Sequence, residues 1–261
     1  MAHPSTNHIA FQVEGKDLLA SSSPFDAWPS LPLEVLPNRD SLVYADKYGI
    51  HSAQTIFRGT LRYNGFSALL HVLKNMGLLD EIPVIGDNNS WSNVLNMLQE
   101  RHGVDDLKTL LVACSEGNTN MAAKAADCLK WLGITENSRI HKPKSIVQSF
   151  CDVLEDKLFF EEGERDMVLM HHEVHALFPD KTQEKHRSSL QVYGDGKMSA
   201  MCKTVGYTSA VGADLMLNGE LNKKGILLPT SKNIYVPCLA ALEKEGLIFK
   251  EEMATEANKD L

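Results

Sequence analysis

Two arginines stand in polar segments that could grip a carboxylate. Arg39 lies in Asn38-Arg39-Asp40-Ser41, and Arg58 opens Arg58-Gly59-Thr60-Leu61-Arg62-Tyr63. A guanidinium offers several donors in a rigid fork that matches a carboxylate in two-point fashion. Gly59 removes a side chain, so backbone there can approach a ligand closely. Thr60 adds a hydroxyl on the strand face that carries Arg58 and Arg62. The same residues also fit a salt-bridge network on a solvated sheet face.

A second cluster is His171-His172-Glu173-Val174-His175. It lacks the HExxH spacing of a helical zinc site. On a strand, His171, Glu173 and His175 share one face, from which three ligands cannot easily wrap a tetrahedral ion. We therefore expect no metal, and read the cluster as a polar strand end or a histidine touching substrate. No GxGxxG follows a strand, and the Gly163 and Gly194/Gly196 segments carry acidic residues that would repel a pyrophosphate. No GxSxG elbow is present, and no residue is assigned as general base. The five cysteines are dispersed, which fits free thiols in a reducing compartment.

The elements that must position these residues are legible in outline. Pro24, Pro29, Pro32 and Pro37 exclude long helices from the first segment. Alternation predicts a strand over 55–63, with Arg58, Thr60 and Arg62 on one face. Residues 65–160 switch to a helical period. Phe66, Leu69, Leu70, Leu73 and Met76 precede a C-cap glycine, Gly77. Ser90 caps a helix carrying Trp91, Val94, Leu95 and Leu98; further helices are predicted over 121–132, before Gly133, and over 145–160. Strands return at 167–170 and 188–193, followed by helix over 199–218, interrupted at Val205-Gly206. A short strand over 225–228 and a helix over 236–245 follow, and the charged tail from Lys250 is expected to fray. Residues 11–16 already read as strand and turn, as if a domain were entered midway.

The 261 residues are 43% hydrophobic and 23% charged, an ordinary globular balance. A net charge of −8 argues against nucleic acid as partner. No stretch reaches the roughly 18 apolar residues of a membrane span, and residues 1–10 show no secretory pattern.

Three segments together resemble the saccharopine dehydrogenase region of the bifunctional lysine-ketoglutarate reductase/saccharopine dehydrogenase family. They are Leu36-Pro37-Asn38-Arg39-Asp40-Ser41-Leu42-Val43-Tyr44 with Tyr48-Gly49-Ile50; Phe57-Arg58-Gly59-Thr60-Leu61-Arg62-Tyr63-Asn64-Gly65-Phe66; and 166–174 with Glu184-Lys185-His186-Arg187 and 199–206. His-His-Glu-Val and Glu-Lys-His-Arg point to the plant-like form. The resemblance implies an α/β (α+β) fold: a mixed-sheet substrate domain with an inserted helical domain, the Rossmann half lying upstream and absent here. Residues 1–64 would be the first part of the substrate domain and 65–160 the helical insertion. Residues 161–200 would be its return strands and 201–261 the C-terminal helices bracing the Rossmann domain.

The implied activity is NAD(P)-dependent oxidation of saccharopine to glutamate and aminoadipate semialdehyde, in lysine metabolism. Hydride leaves the secondary amine and water splits the resulting imine. Arg39 matches the arginine that pairs with a substrate carboxylate, and Arg58, Gly59, Thr60 and Leu61 fall on a second substrate segment. NAD or NADP would be held by the half outside this chain. The implied partners are saccharopine or glutamate and the upstream Rossmann/reductase region. An apolar surface left bare without that half would favour homo-oligomers. The compartment implied is cytoplasmic, with mitochondrial as the alternative. A non-catalytic carboxylate-binding or regulatory module of the same family stands beside the enzyme reading.

Overall fold

The computed structural model describes residues 12–84, 90–134, 138–140 and 144–256. Residues 1–11, including the Phe11 start of the strand-and-turn reading, lie outside them. Residues 12–14 join no ladder and 15–18 turn. The chain divides into two units, Met1–Phe159 and Phe160–Leu261.

Prolines keep the first segment of unit one extended or turning. Ser23–Phe25 (β1) pairs antiparallel with Leu33–Pro37 (β2), which pairs antiparallel with Gly59–Tyr63 (β3). Pro24 is tolerated because β1 is an edge strand. The register sets Pro37 opposite Gly59, Leu36 opposite Thr60 and Glu34 opposite Arg62. A short helix, Val43–Tyr48 (α1), sits between β2 and β3.

The strand expected over 55–63 is shorter than the alternation suggests. Arg58 gives its N–H to the Ser41 side chain at 3.0 Å, so the ladder starts only at Gly59.

The helical part of unit one follows from period and caps. It contains Phe66–Met76 (α2), Trp91–His102 (α3), Leu107–Cys114 (α4), Thr119–Leu132 (α5) and Ile146–Leu158 (α6). Ser90, Asp106, Asn118 and Ser145 each accept a hydrogen bond from the N–H three residues on, satisfying a donor the helix cannot. Gly77, Gly103 and Gly133 close α2, α3 and α5 in the left-handed conformation. The apolar stripes meet in one core that includes Trp91, Phe150, Leu73, Leu98, Leu129 and Ile146. Truncating Trp91 or Phe150 there would cost about 3–5 kcal/mol.

In unit two, Met167–Leu177 (β4) and Gln183–Tyr193 (β5) form a long antiparallel hairpin. A helical stretch then widens into a π-type turn at Cys202–Gly206, where the sequence interrupts it, and continues as Tyr207–Leu217 (α7). Lys232–Lys244 forms α8.

Two expectations fail in this unit. Residues 225–228 form no strand, and Ile226 is fully exposed. The tail from Lys250 does not fray over the described residues: Lys250–Glu256 (β6) pairs antiparallel with β5. Its charges find partners across the ladder, with Ser188 donating to Glu251 at 2.7 Å and Arg187 opposite Glu252. Residues 257–261 lie outside the described residues.

The class is thus α/β (α+β), with helices beside two small antiparallel sheets among the described residues.

Candidate functional site

The end of β2 delivers Asn38, Arg39 and the turn into α1, and the start of β3 delivers Gly59, Thr60 and Leu61. Three hydrogen bonds join the two segments around Arg58. Its carbonyl accepts from the N–H of Asn38 at 2.9 Å, its N–H donates to Ser41 Oγ at 3.0 Å, and its Nη1 donates to the Tyr44 hydroxyl at 3.2 Å. The guanidinium also lies 5.9 Å from the Tyr44 ring centre, with Lys47 Nζ 5.2 Å from it and Tyr48 stacked at 5.7 Å.

Arg39 adopts φ +57, a conformation unusual for a residue with a Cβ. It is exposed, and makes no hydrogen bond, ion pair or ring contact with the described residues. One step inward, Asn38 Nδ2 donates to Thr60 Oγ1 at 2.6 Å.

Gly59 is required by space. A Cβ there would stand 2.3 Å from Val35 Cγ2 and 3.1 Å from the Leu36 carbonyl oxygen. Leu61 is half-buried. Arg62 turns away from this group: it donates to the Leu61 carbonyl and lies 5.3 Å from the Phe66 ring.

All five residues singled out in sequence therefore lie at one junction. Strand alternation does not place Arg58 there, since it precedes the ladder; the turn over 38–44 does. The sequence reading did not single out Asn38, Ser41 and Tyr44 as supports, although they belong to the same motif. It also missed Glu34. An acid inside the apolar run Leu33-Glu34-Val35-Leu36 was the available signal. Glu34 is only 6% exposed and accepts from the N–H groups of Ser67 at 2.7 Å and Gly65 at 3.2 Å, at the start of α2.

That contact bears on dinucleotide binding, which needs free N–H groups at a strand-to-helix turn. In the turn before α1, Asp40 accepts from the Leu42 N–H. Before α2, Glu34 fills the position. After β5, Asp166 accepts from Ala200 and Met201 at 2.6 and 2.9 Å, and these bonds hold its carboxyl below the usual range. Each turn already holds a carboxylate, which would repel a pyrophosphate.

The histidine cluster lies on β4 in unit two. His171, Glu173 and His175 share a face with Ser189, Arg187 and Lys185 of β5. Glu173 accepts from Lys185 at 2.8 Å and from Arg187 at 3.1 Å, and lies 2.7 Å from His175 Nε2. Burial pushes its carboxyl up, but the hydrogen bonds from Lys185, His175 and Arg187 outweigh that and hold it at about 2. Burial lowers His171, against the pull of Glu173, and its Nδ1 lies 2.9 Å from Ser189 Oγ. Among the described residues no group of three His, Cys, Asp or Glu side chains is placed to hold a metal ion.

The fold defines an α+β domain in which two arginine-bearing segments are joined by hydrogen bonds. The family model described as saccharopine dehydrogenase C-terminal domain matches residues 6–247. The chain belongs to this family. It is 36% identical to alpha-aminoadipic semialdehyde synthase of Arabidopsis thaliana, over 95% of this chain and 25% of that protein. It is 33% identical to saccharopine dehydrogenase [NADP(+), L-glutamate-forming] of Pyricularia oryzae, over 92% of this chain and 56% of that protein. The structure of apo saccharopine dehydrogenase (L-Glu forming) from Saccharomyces cerevisiae superposes with a TM-score of 0.82 at 30% identity. It covers 92% of this chain and 55% of that one. The chain thus spans about half the length of the fungal relatives and a quarter of the plant one.

Proposed function

We propose that this chain is the substrate-binding part of a saccharopine dehydrogenase of lysine metabolism. It holds saccharopine while a nucleotide-binding portion outside these residues supplies NAD or NADP. The name of the Pyricularia oryzae relative specifies NADP(+). Arg39 and Arg58 pair with substrate carboxylates; Gly59 contributes its backbone, the place of its missing side chain being filled by Val35, and Thr60 and Leu61 line the ligand's path. Saccharopine carries several carboxylates on a secondary amine, so two guanidinium groups at one junction suit it.

The observation that carries this reading is the 2.9 Å bond from the Asn38 N–H to the Arg58 carbonyl. It holds the Arg39 segment against the second segment, while the Arg39 guanidinium meets no partner among the described residues. The domain assignment follows the same reading: 1–64 and 161–200 as substrate domain, 65–160 as insertion, 201–261 as the part that meets the nucleotide-binding portion. Exposed Leu217, Ile226 and Val236 supply apolar surface for that meeting, or for homo-oligomers without it. Five free cysteines favour a reducing compartment, and we place the chain in the cytoplasm; a relative from Mus musculus, 36% identical, is named alpha-aminoadipic semialdehyde synthase, mitochondrial. Among the described residues no helix is long and apolar enough to cross a membrane.

Calorimetry with saccharopine and L-glutamate tests the proposal. Binding by the wild-type chain that weakens in Arg39→Ala supports it. No binding, or equal affinity in the two proteins, removes it.

A further inference from the structure

Resting on the carboxylate reading above, we propose that Asn38 is a positioning residue that turns the Thr60 hydroxyl into a hydrogen-bond donor for the bound carboxylate. A threonine hydroxyl has one proton to give and two lone pairs that accept. Asn38 Nδ2 donates into Thr60 Oγ1 at 2.6 Å, so the threonine proton cannot be used in that direction. It finds no acceptor among the described residues. The proton is left for a ligand.

Asn38 is well fixed for this task. Its main-chain N–H is bound to the Arg58 carbonyl, so its side chain leaves from a braced position rather than a free loop. Thr60 is equally fixed, opposite Leu36 in the ladder. Both side chains are half-buried, where an unmet donor is costly and a ligand oxygen correspondingly favoured. The residue after Asn38 is Arg39, whose guanidinium meets no partner among the described residues. The junction then offers a carboxylate a neutral donor beside a charged one, and the direction of the neutral donor is set by Asn38.

A double-mutant cycle on the 261-residue chain tests this, with saccharopine as the probe in calorimetry and thermal melts run alongside. Asn38→Ala and Thr60→Val should each weaken binding about tenfold, the loss of one hydrogen bond to a charged group. The double variant should bind no worse than Thr60→Val alone, because Asn38 acts only through the hydroxyl. Thr60→Ser keeps the hydroxyl and should bind like wild type. A purely structural Asn38 would lower the melting temperature without this coupling.

Wild-type affinity in Asn38→Ala, with binding lost in Arg39→Ala, would overturn the proposal and leave the carboxylate reading standing. Losses that multiply in the double variant would also overturn it. Absence of saccharopine binding by the wild type would sink both. Should Asn38→Ala not fold, the near-isosteric pair Thr60→Val and Thr60→Ser decides, and equal affinity of those two is the adverse result.

Discussion

Asn38 and Arg58, distant in sequence, are joined main chain to main chain by a 2.9 Å hydrogen bond from the asparagine N–H to the arginine carbonyl. This bond carries the β2–β3 pairing one residue past the ladder and into the turn that bears Arg39. Ser41 and Tyr44 then close on Arg58 from the same turn. The spacing of the two arginines is set by the backbone, before any ligand arrives.

If those guanidinium groups bind the substrate, each should matter by the amount of a charge-assisted hydrogen bond. Arg39→Ala and Arg58→Ala should each weaken saccharopine binding by about 1.5–3 kcal/mol, read by calorimetry. Arg39→Lys should recover only part of the loss, because an ammonium cannot reproduce the two-point fork. Full recovery by lysine would mean that charge alone suffices.

Gly59→Ala tests the close packing at the head of β3. The added Cβ meets Val35 Cγ2 at 2.3 Å, and the Leu36 carbonyl on its other side is backbone. We expect a loss of about 1–3 kcal/mol from overpacking, seen as a lower melting temperature. An unchanged melt would show that Val35 and β3 move apart freely.

Glu34 makes a different prediction. Its carboxylate satisfies two N–H groups at the start of α2 from a buried position. Glu34→Ala should destabilise unit one by about 1–3 kcal/mol in urea titrations, through donors left unmet. Glu34→Gln, which keeps one acceptor oxygen, should lose less. Equal losses would show that the charge, and not the hydrogen bonds, is what α2 requires.

Acid should loosen the hairpin of unit two. Glu173 is held near 2 rather than its ordinary 4.5, with Lys185, His175 and Arg187 favouring the charged form over the cost of burial. A lowered carboxylate stabilises the fold fully above its unfolded value, and that share is lost as pH falls from about 4.5 toward about 2. Melting temperatures of the wild type should therefore drop across this window more steeply than those of Glu173→Gln. Parallel curves would remove Glu173 as the acid-sensitive group.

The helices of unit one were legible in the sequence because their causes are local. A 3.6-residue apolar period, a serine cap at Ser90 or Ser145 and a closing glycine at Gly77 or Gly133 all act within a turn or two of chain. The motif residues around Arg39 and Arg58 were legible too, as types suited to carboxylates.

Their support was decided elsewhere. The start of β3 depended on Ser41, a side chain seventeen positions away, taking an N–H that alternation had assigned to a ladder. The strand at Lys250–Glu256 depended on a free edge of β5, which no pattern within those charged residues could disclose. Local rules act on neighbours along the chain, whereas hydrogen bonds between distant segments exist only once the fold has brought them together. That is why the sequence named the arginines and only the tertiary structure showed which hydrogen bonds join their two segments.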